Sequence, residues 1–264
     1  MKRSNSDPRD EYSESRDRFY LSRDYAIEYL IFSMSSNEEE LLGSAIYDLI
    51  CEFSTAKGRI LDIGSADGRI CEKYIYEARE SFAIEPNAIL YSLLKRRLSA
   101  KTICLLGEFP DLPKVHLNLD AIVASHMLYH LDQNNLVCFL QCARSQLKYG
   151  GILILVLWNN ESEAWKLCAR YTPERWLWTA EDVVSDATLN DIAGTGFKLI
   201  KEAHISPSIK AYTAEAQRAI FRFLFGSQTS PALLGDAFQD HSAVFSLRAG
   251  LDNSQTIFVL RAIE

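Results

Sequence analysis

Residues 60–70 constrain the fold of this chain more than any other segment. The segment, Ile-Leu-Asp-Ile-Gly-Ser-Ala-Asp-Gly-Arg-Ile, begins with an apolar run that predicts a β-strand and is interrupted only by the acid Asp62. Gly64 and Gly68 follow, and a helical pattern resumes at Ile70. Glycine is needed where the backbone takes a positive φ or lies against a ligand. The segment therefore predicts a strand, a nucleoside-binding turn and a helix.

The spacing of these glycines excludes two common nucleotide motifs. A dinucleotide fingerprint starting at Gly64 would need glycine at 66 and glycine or alanine at 69, where the chain has Ala66 and Arg69. The Gly-Lys-Ser/Thr ending of a phosphate loop is absent as well. The remaining pattern, Asp-x-Gly-x-Ala-x-Gly, resembles the first motif of the class I S-adenosylmethionine (SAM)-dependent methyltransferases, Asp/Glu-x-Gly-x-Gly-x-Gly. Ala66 replaces the middle glycine and adds one methyl group.

Four further segments occur in the order that this resemblance implies. They predict strands over 82–86 and 102–109, a strand in the segment 119–131 with a helix beginning after it, and a strand over 152–157. The segment 119–131 is similar to the family's Asp-x-Ile/Val-x-x-x-His-x-Leu-x-His stretch. The resemblance covers roughly 55–160. It implies an α/β fold, a Rossmann-like doubly wound sheet of seven strands in the order 3-2-1-4-5-7-6 with the last strand antiparallel.

The cofactor implied by the resemblance is SAM, and its candidate ligands lie at the predicted strand ends. Glu85 ends the second strand, where an acid is suited to accept both ribose hydroxyls. Glu108 stands where the family usually has aspartate, which receives the adenine amino group. Asp62 needs donors, either loop amides or the ammonium group of the cofactor. The full set is Asp62, Gly64, Ser65, Ala66, Gly68, Glu85, Pro86, Gly107, Glu108, Phe109, Ser125 and His126.

Candidates for the acceptor site follow the fourth and fifth strands. Tyr129 and His130 are the catalytic candidates, because either could hold the acceptor or take its proton, whereas His126 is expected to pack beside the cofactor. All four tryptophans lie between 157 and 179, where aromatic faces suit a cationic amine or a flat ring. The predicted substrate-binding residues are Tyr20, Trp158, Asn159, Trp165 and Tyr171.

The remaining sequence is divided into an N-terminal part, 1–54, and a SAM-binding domain, 55–264, with a helical insertion over about 206–245. The N-terminal part is expected to hold a loose tail and helices that either close over the cofactor or cover a sheet edge. A helix is predicted over 38–53, with Asn37 and Glu40 as a capping-box variant. Later elements are a helix over 180–195, a strand over 197–205, a helix over 212–225 and a strand over 255–263.

The composition limits the class of partner that this chain can bind. The net charge of −7 across 264 residues, with no basic stripe, argues against a nucleic-acid substrate and favours a small molecule. No apolar stretch is long enough to span a bilayer, and the first residues are not of signal-peptide type. The six scattered cysteines predict reduced core thiols and no metal site. We expect a cytoplasmic monomer or homodimer.

Three functions remain open. The first is methyl transfer to a small-molecule nitrogen or oxygen, as in enzymes of the histamine N-methyltransferase type, which the chain resembles most. The second keeps the fold but cyclises SAM to azetidine-2-carboxylate and methylthioadenosine. The third is a catalytically silent, methyltransferase-like partner subunit. The intact Asp62, Gly64, Gly68 and Glu85 count against the third.

Overall fold

The computed structural model describes residues 19–109, 117–131, 133–172, 179–226, 231–239 and 248–263, with the backbone alone at 130, 133, 134, 186, 187 and 233. The predicted loose tail over 1–18 lies outside this range. Within the described residues the strands are β1 (Arg59–Ile63), β2 (Glu80–Glu85), β3 (Thr102–Leu106), β4 (Leu119–Ser125), β5 (Leu147–Trp158), β6 (Phe197–Ile205), β7 (Ser208–Ile209), β8 (Leu251–Asp252) and β9 (Gln255–Ala262).

Seven of these strands form one sheet in the order β3-β2-β1-β4-β5-β9-β6. Strands β1 to β5 pair in parallel, whereas β9 runs antiparallel to both β5 and β6. The predicted order, 3-2-1-4-5-7-6 with the last strand antiparallel, is confirmed. The short β7–β8 pair forms a separate sheet that the sequence did not indicate.

The described helices cover both faces of the sheet and one of its ends. They are α1 (Arg23–Met34), α2 (Glu38–Phe53), α3 (Arg69–Ile75), α4 (Ala88–Leu98), α5 (Gln133–Gln146), α6 (Glu163–Tyr171), α7 (Ala180–Val183), α8 (Asp186–Gly194), α9 (Ala214–Phe225) and α10 (Pro231–Gln239). None of them combines the length and the apolar character needed to cross a bilayer.

Both faces of the sheet are buried, which explains the unbroken apolar runs of β4 and β5. One face packs on α5, α7 and α8, through side chains such as Phe139, Leu140 and Val183. The other packs on α2, α3 and α4, where Ile46 and Tyr74 are fully buried. The helix α2 therefore belongs to the same core as the strands.

A third cluster lies beyond the carboxyl ends of the strands. It joins α1, α6 and α9 through Phe32, Leu167 and Phe221. The apolar face of α9, including Ile220 and Leu224, packs into this cluster as the helical pattern over 212–225 predicts. The helix α1 rests on this insertion, so both lie above the strand ends.

Two helix starts differ from the predictions. The helix over 38–53 begins where predicted, but Asn37 does not cap it, because its side-chain oxygen accepts a hydrogen bond from Ser208 N at 2.7 Å. The helix predicted over 180–195 is two helices, α7 and α8. Thr179 caps α7 through a capping box with Asp182, and Ser185 accepts from Thr188 N to start α8.

The six cysteines all lie within the described residues and form no disulfide there, but they are not all core residues as predicted. Cys71 and Cys168 are buried, whereas Cys51 and Cys138 are exposed. Cys138 lies on α5 and lines the cavity described below, whereas Cys51 lies on α2.

We predict that Gly68→Ala lowers the free energy of unfolding by about 2–4 kcal/mol, because a left-handed alanine costs about 1–2 kcal/mol and overpacking adds to it. Gly68 has φ +85°, and a Cβ there would lie 2.9 Å from Leu94 Cδ1. Urea denaturation measures the change. The control is Gly194→Ala, whose Cβ would meet nothing within 4 Å; equal stability of the two variants would contradict the packing role of Gly68.

Candidate functional site

A cavity of about 400 Å³ lies at the carboxyl ends of the parallel strands, beneath α1 and α9. The sheet order places β2 on one side of β1 and β4 on the other. This is the switch point at which open α/β sheets bind ligands. The cavity volume falls within the roughly 300–1,000 Å³ typical of small-molecule and cofactor sites.

The loop after β1 forms the floor of the cavity. Gly64 and Ala66 both take a positive φ, +74° and +48°, and both line the cavity together with Ser65. A Cβ at Gly64 would meet nothing nearer than Met127 Cβ at 3.6 Å, so the glycine exposes its backbone to the space above it. Gly68, predicted as a cofactor ligand, is not among the cavity-lining residues; its missing Cβ makes room for Leu94 instead.

Asp62 lines the cavity from the end of β1 but is held by side chains. The Tyr74 hydroxyl donates to Asp62 Oδ1 at 2.5 Å. Burial raises the pKa of Asp62, and hydrogen bonds from Ser65 and Tyr74 partly offset this rise. Of the two kinds of donor expected for Asp62, a loop amide is not the one that Ala66 supplies, because Ala66 N bonds Glu85. The ammonium group of the cofactor stays a prediction.

Glu85, at the end of β2, fixes the loop from below. Its two carboxylate oxygens accept from Ala66 N and Asn87 N, each at 2.8 Å. Burial raises the pKa of Glu85 to about 7, although these two backbone hydrogen bonds lower it. Each oxygen retains acceptor capacity. Glu85 and the adjacent Pro86 both line the cavity.

Asn87 joins this floor to the N-terminal segment above it. Its side-chain amide donates to the carbonyl oxygens of Tyr20 and Ser22, at 2.8 and 2.9 Å. The Tyr20 hydroxyl in turn donates to Glu108 Oε1 at 2.6 Å. Tyr20 was predicted to bind substrate, but these contacts put it at the β3 end of the cavity, beside the predicted adenine-binding residues.

The residues after β3 form that end of the cavity. Gly107, Glu108 and Phe109 all line it. The Phe109 ring packs edge-on against Phe139 of α5, with 5.4 Å between the ring centroids. The predicted set at this strand end is thus brought together.

At the end of β4 the chain turns through His126, which has φ +55°. Its Nδ1 lies 3.1 Å from the Tyr129 hydroxyl, which accepts from Trp158 N at 2.6 Å. Its Nε2 lies 3.0 Å from Glu38 Oε1, although outside hydrogen-bond geometry. The rings of Tyr129 and Trp158 stack, with centroids 5.0 Å apart. A strained histidine held on both sides is a common mark of a functional site.

Comparison with known proteins identifies the family. Residues 36–183, more than half of the chain, match the family model described as a methyltransferase domain. The chain belongs to the methyltransferase-domain family. A curated relative, the uncharacterized methyltransferase YrrT of Bacillus subtilis strain 168, is 29% identical over 87 residues, and the match covers 32% of this chain and 41% of that protein. The chain therefore spans less than half of that relative.

Solved structures share the fold of this methyltransferase-domain protein. A candidate methyltransferase of Bacillus halodurans C-125 superposes with a TM-score of 0.59 at 12% identity, over 84% of this chain and all of that one. The N-methyltransferase NodS of Bradyrhizobium japonicum, in complex with S-adenosylhomocysteine (SAH), gives 0.54 at 12% identity, over 96% and 98%. At such identities the likeness establishes the class I SAM-dependent methyltransferase fold.

SAM is the cofactor of this methyltransferase superfamily, and the cavity fits it. The lining that the structure describes includes five carboxylates and no lysine or arginine, which suits a ligand with a sulfonium and an ammonium group. The buried Ser125 Oγ has no hydrogen-bond partner among the described residues and lines the cavity. The glycine floor at Gly64 and the acceptor oxygens of Glu85 complete a site shaped for a nucleoside.

The structure places some of the predicted acceptor-site residues at the cavity and others away from it. Trp158 and Tyr129 line the cavity. The backbone of His130 ends a 3₁₀ turn, Leu128–His130, and its side chain lies outside the described part of the structure, as do Trp176 and Trp178. The assignment of catalysis to Tyr129 and His130 stays a prediction.

Three other predicted substrate residues do not line the cavity. Asn159 Oδ1 accepts from Glu161 N and Ser162 N, so it orders the turn before α6. Trp165 and Tyr171 lie on α6 and pack into the third cluster. In this part of the tryptophan-rich segment the aromatic side chains of α6 pack in the core, because α6 buries them against α9.

The sequence indicated the upper wall of the cavity only as N-terminal helices that either close over the cofactor or cover a sheet edge. This wall is formed by Tyr25, Tyr29 and Phe32 of α1, by Phe223 of α9 and by Glu38. The i, i+4, i+7 spacing of the α1 aromatics was a usable signal, because these positions share one helical face. No local pattern marks Glu38.

We predict that Ala66→Gly raises the free energy of unfolding by about 0.5–1 kcal/mol. A left-handed alanine costs about 1–2 kcal/mol, more than the added chain entropy of glycine. Thermal and urea unfolding measure the change. The matched control, Ala45→Gly within α2, should lose about 1 kcal/mol; an equal loss in both would contradict the strain at Ala66.

Proposed function

We propose that this member of the methyltransferase-domain family transfers the methyl group of SAM to a nitrogen or oxygen atom of a small molecule. The observation that supports this proposal is one continuous cavity with two chemically different ends. Its β1–β3 end offers a glycine floor and the carboxylates of Glu85 and Glu108. Its β4–β5 end is a chamber walled by the rings of Tyr129, Trp158 and Phe223.

The first end suits the nucleoside of SAM. Glu85 would accept the ribose hydroxyls, and Glu108 would accept the adenine amino group beside the Phe109 ring. Ser125 Oγ is a further donor at the junction of the two ends. When bound, SAM would supply a methyl carbon on a sulfonium: an acceptor lone pair forms the new bond to that carbon, and the carbon–sulfur electrons stay on sulfur as SAH leaves.

The second end suits an acceptor held out of water. Enclosure by aromatic rings orients a small molecule and excludes solvent, which is the main requirement of this reaction. The Tyr129 hydroxyl already bonds Trp158 N and faces His126. Tyr129 therefore has a positioning role in the proposal, and a direct catalytic role for it or for His130 remains to be tested.

The charge of the chain supports a small-molecule substrate. A net charge of −7 and a pI near 5.4 oppose binding to polyanions such as nucleic acids. We propose no nucleic-acid or membrane partner, and a monomer or homodimer in the cytoplasm.

Binding of the ribose should depend on pH. The pKa of Glu85 is raised from 4.5 to about 7, so the stability that its neutral carboxyl contributes is present below about 4.5 and is lost as pH rises through about 7. Ribose hydroxyls donate to the ionised form, so binding should release a proton. We expect affinity for adenosine, which has no group titrating near neutral pH, to rise about tenfold between pH ~6 and ~8.

Calorimetry in buffers of different ionisation heat measures both the affinity and the proton release. Constant affinity across this range, with no proton released, would contradict the role of Glu85. Burial also raises the pKa of Glu28 to about 7. Glu28 does not line this cavity, so its titration should not change the affinity for adenosine.

The function is tested by calorimetric titration with SAM and SAH, followed by product analysis of the same mixtures. We expect micromolar binding of both, and about tenfold weaker SAM binding in Glu108→Ala, because one charge-assisted hydrogen bond is lost. Glu202→Ala, at an exposed position on β6, is the matched control.

Two results would redirect the proposal. Methylthioadenosine formed from SAM without any acceptor would indicate the cyclase. Absence of any binding by SAM or SAH would favour the silent partner subunit.

A further inference from the structure

Glu38 is a buried carboxylate that the proposed cofactor site does not use. It is the first residue of α2, only 6% exposed, and it lines the cavity. Asn253 Nδ2 donates to its Oε2 at 3.0 Å. Its Oε1 faces His126 Nε2 at 3.0 Å, without hydrogen-bond geometry. A carboxylate has about four lone-pair directions, so Glu38 retains acceptor capacity toward a ligand.

The contacts of Glu38 place it at the acceptor end of the cavity. Asn253, which precedes β9, also accepts from Trp158 Nε1 at 2.7 Å, at the end of β5. His126 follows β4. Because β4 separates β1 from β5 and β9 in the sheet order, Glu38 is anchored on the side of β4 away from the glycine floor.

Aromatic rings line the same cavity as this carboxylate. Phe223 packs on Phe32 and Tyr29, with centroids 4.6 and 5.9 Å apart, and all three line the cavity. Tyr29 and Tyr129 line the same cavity as Glu38. Burial raises the pKa of both tyrosines, and the charge of Glu38 adds to both rises. Aromatic faces beside a carboxylate attract organic cations.

The charge of the lining favours the same class of ligand. The described lining contains the acids Glu38, Glu39, Asp62, Glu85 and Glu108 and no lysine or arginine. Lys73, outside this lining, pairs with Glu39 at 3.7 Å. An acceptor carrying a carboxylate or phosphate would enter this cavity against like charge. An ammonium ion would be attracted by it.

We propose that Glu38 and the rings of Tyr29, Phe32 and Phe223 receive the acceptor as an ammonium ion, so that the substrate is an amine. This inference rests on the methyltransferase function proposed above. One proton passes from the ammonium to the Glu38 carboxylate. The freed nitrogen lone pair then forms the bond to the methyl carbon, and the electrons of the carbon–sulfur bond stay on sulfur.

The test uses three probes that share a 2-phenylethyl group and differ in the polar group attached to it: 2-phenylethylamine, 2-phenylethanol and 3-phenylpropanoate. Their binding to the SAH-loaded protein is measured by calorimetry, and SAH formation from SAM is measured separately. We expect the amine to bind and to be methylated in preference to the other two. Glu38→Gln should weaken amine binding about 100-fold, because the ammonium loses a buried charge partner.

The matched control is Glu40→Gln, which removes the same charge from the same helical turn at an exposed position. It should change amine binding less than about twofold. Both variants should bind SAM as the wild type does. If Glu38→Gln does not fold, Phe223→Leu replaces it, and loss of the ring should weaken the amine several-fold more than the alcohol.

Three results would overturn the ammonium site while leaving the methyltransferase standing: no amine binding, preference for the alcohol or the acid, or equal amine binding by wild type and Glu38→Gln. Failure of the wild type to bind SAM is a separate result that would overturn the proposed function itself.

Discussion

The buried carboxylate of Glu85 is the interaction on which the site depends. It holds the loop after β1 through Ala66 N and the start of α4 through Asn87 N. Asn87 then ties the carbonyls of Tyr20 and Ser22 to the same strand end. One acid therefore couples the floor of the cavity to the segment that leads into its roof. Because both donors are backbone amides, the hydrogen bonds depend on the carboxylate of Glu85 and not on the side chains at positions 66 and 87.

The sheet order gives the cavity its two ends. Loops from β1, β2 and β3 present backbone and carboxylates, whereas β4 and β5 present the stacked Tyr129 and Trp158. The helices α1 and α9 close the space with a continuous aromatic wall. A ligand that is polar at one end and reacts at the other matches this division. The acceptor end is built almost wholly from segments outside the strands.

Much of the cofactor end could be predicted from the sequence, because each of its residues follows a recognisable strand. Glu85, Gly107 and Glu108 are found by locating the end of an apolar run, and the parallel sheet brings such ends together. Gly68 was assigned to the ligand because glycine spacing does not reveal whether the missing Cβ faces the cavity or Leu94. The Tyr74 donor to Asp62 was not foreseen, since it reaches the acid from α3.

The sequence by itself determined the strands of the main sheet through local periodicity, and the resemblance carried by its motifs implied their order and placed the candidate cofactor residues at the strand ends. Only the tertiary structure decided the acceptor end. Glu38 meets His126 and Asn253 across 88 and 215 positions of the chain, and Phe223 meets Phe32 between two separate helices. Contacts at such separations leave no local pattern. The contact between Phe32 and Phe223 forms because α1 and α9 bury apolar side chains against each other above the strand ends.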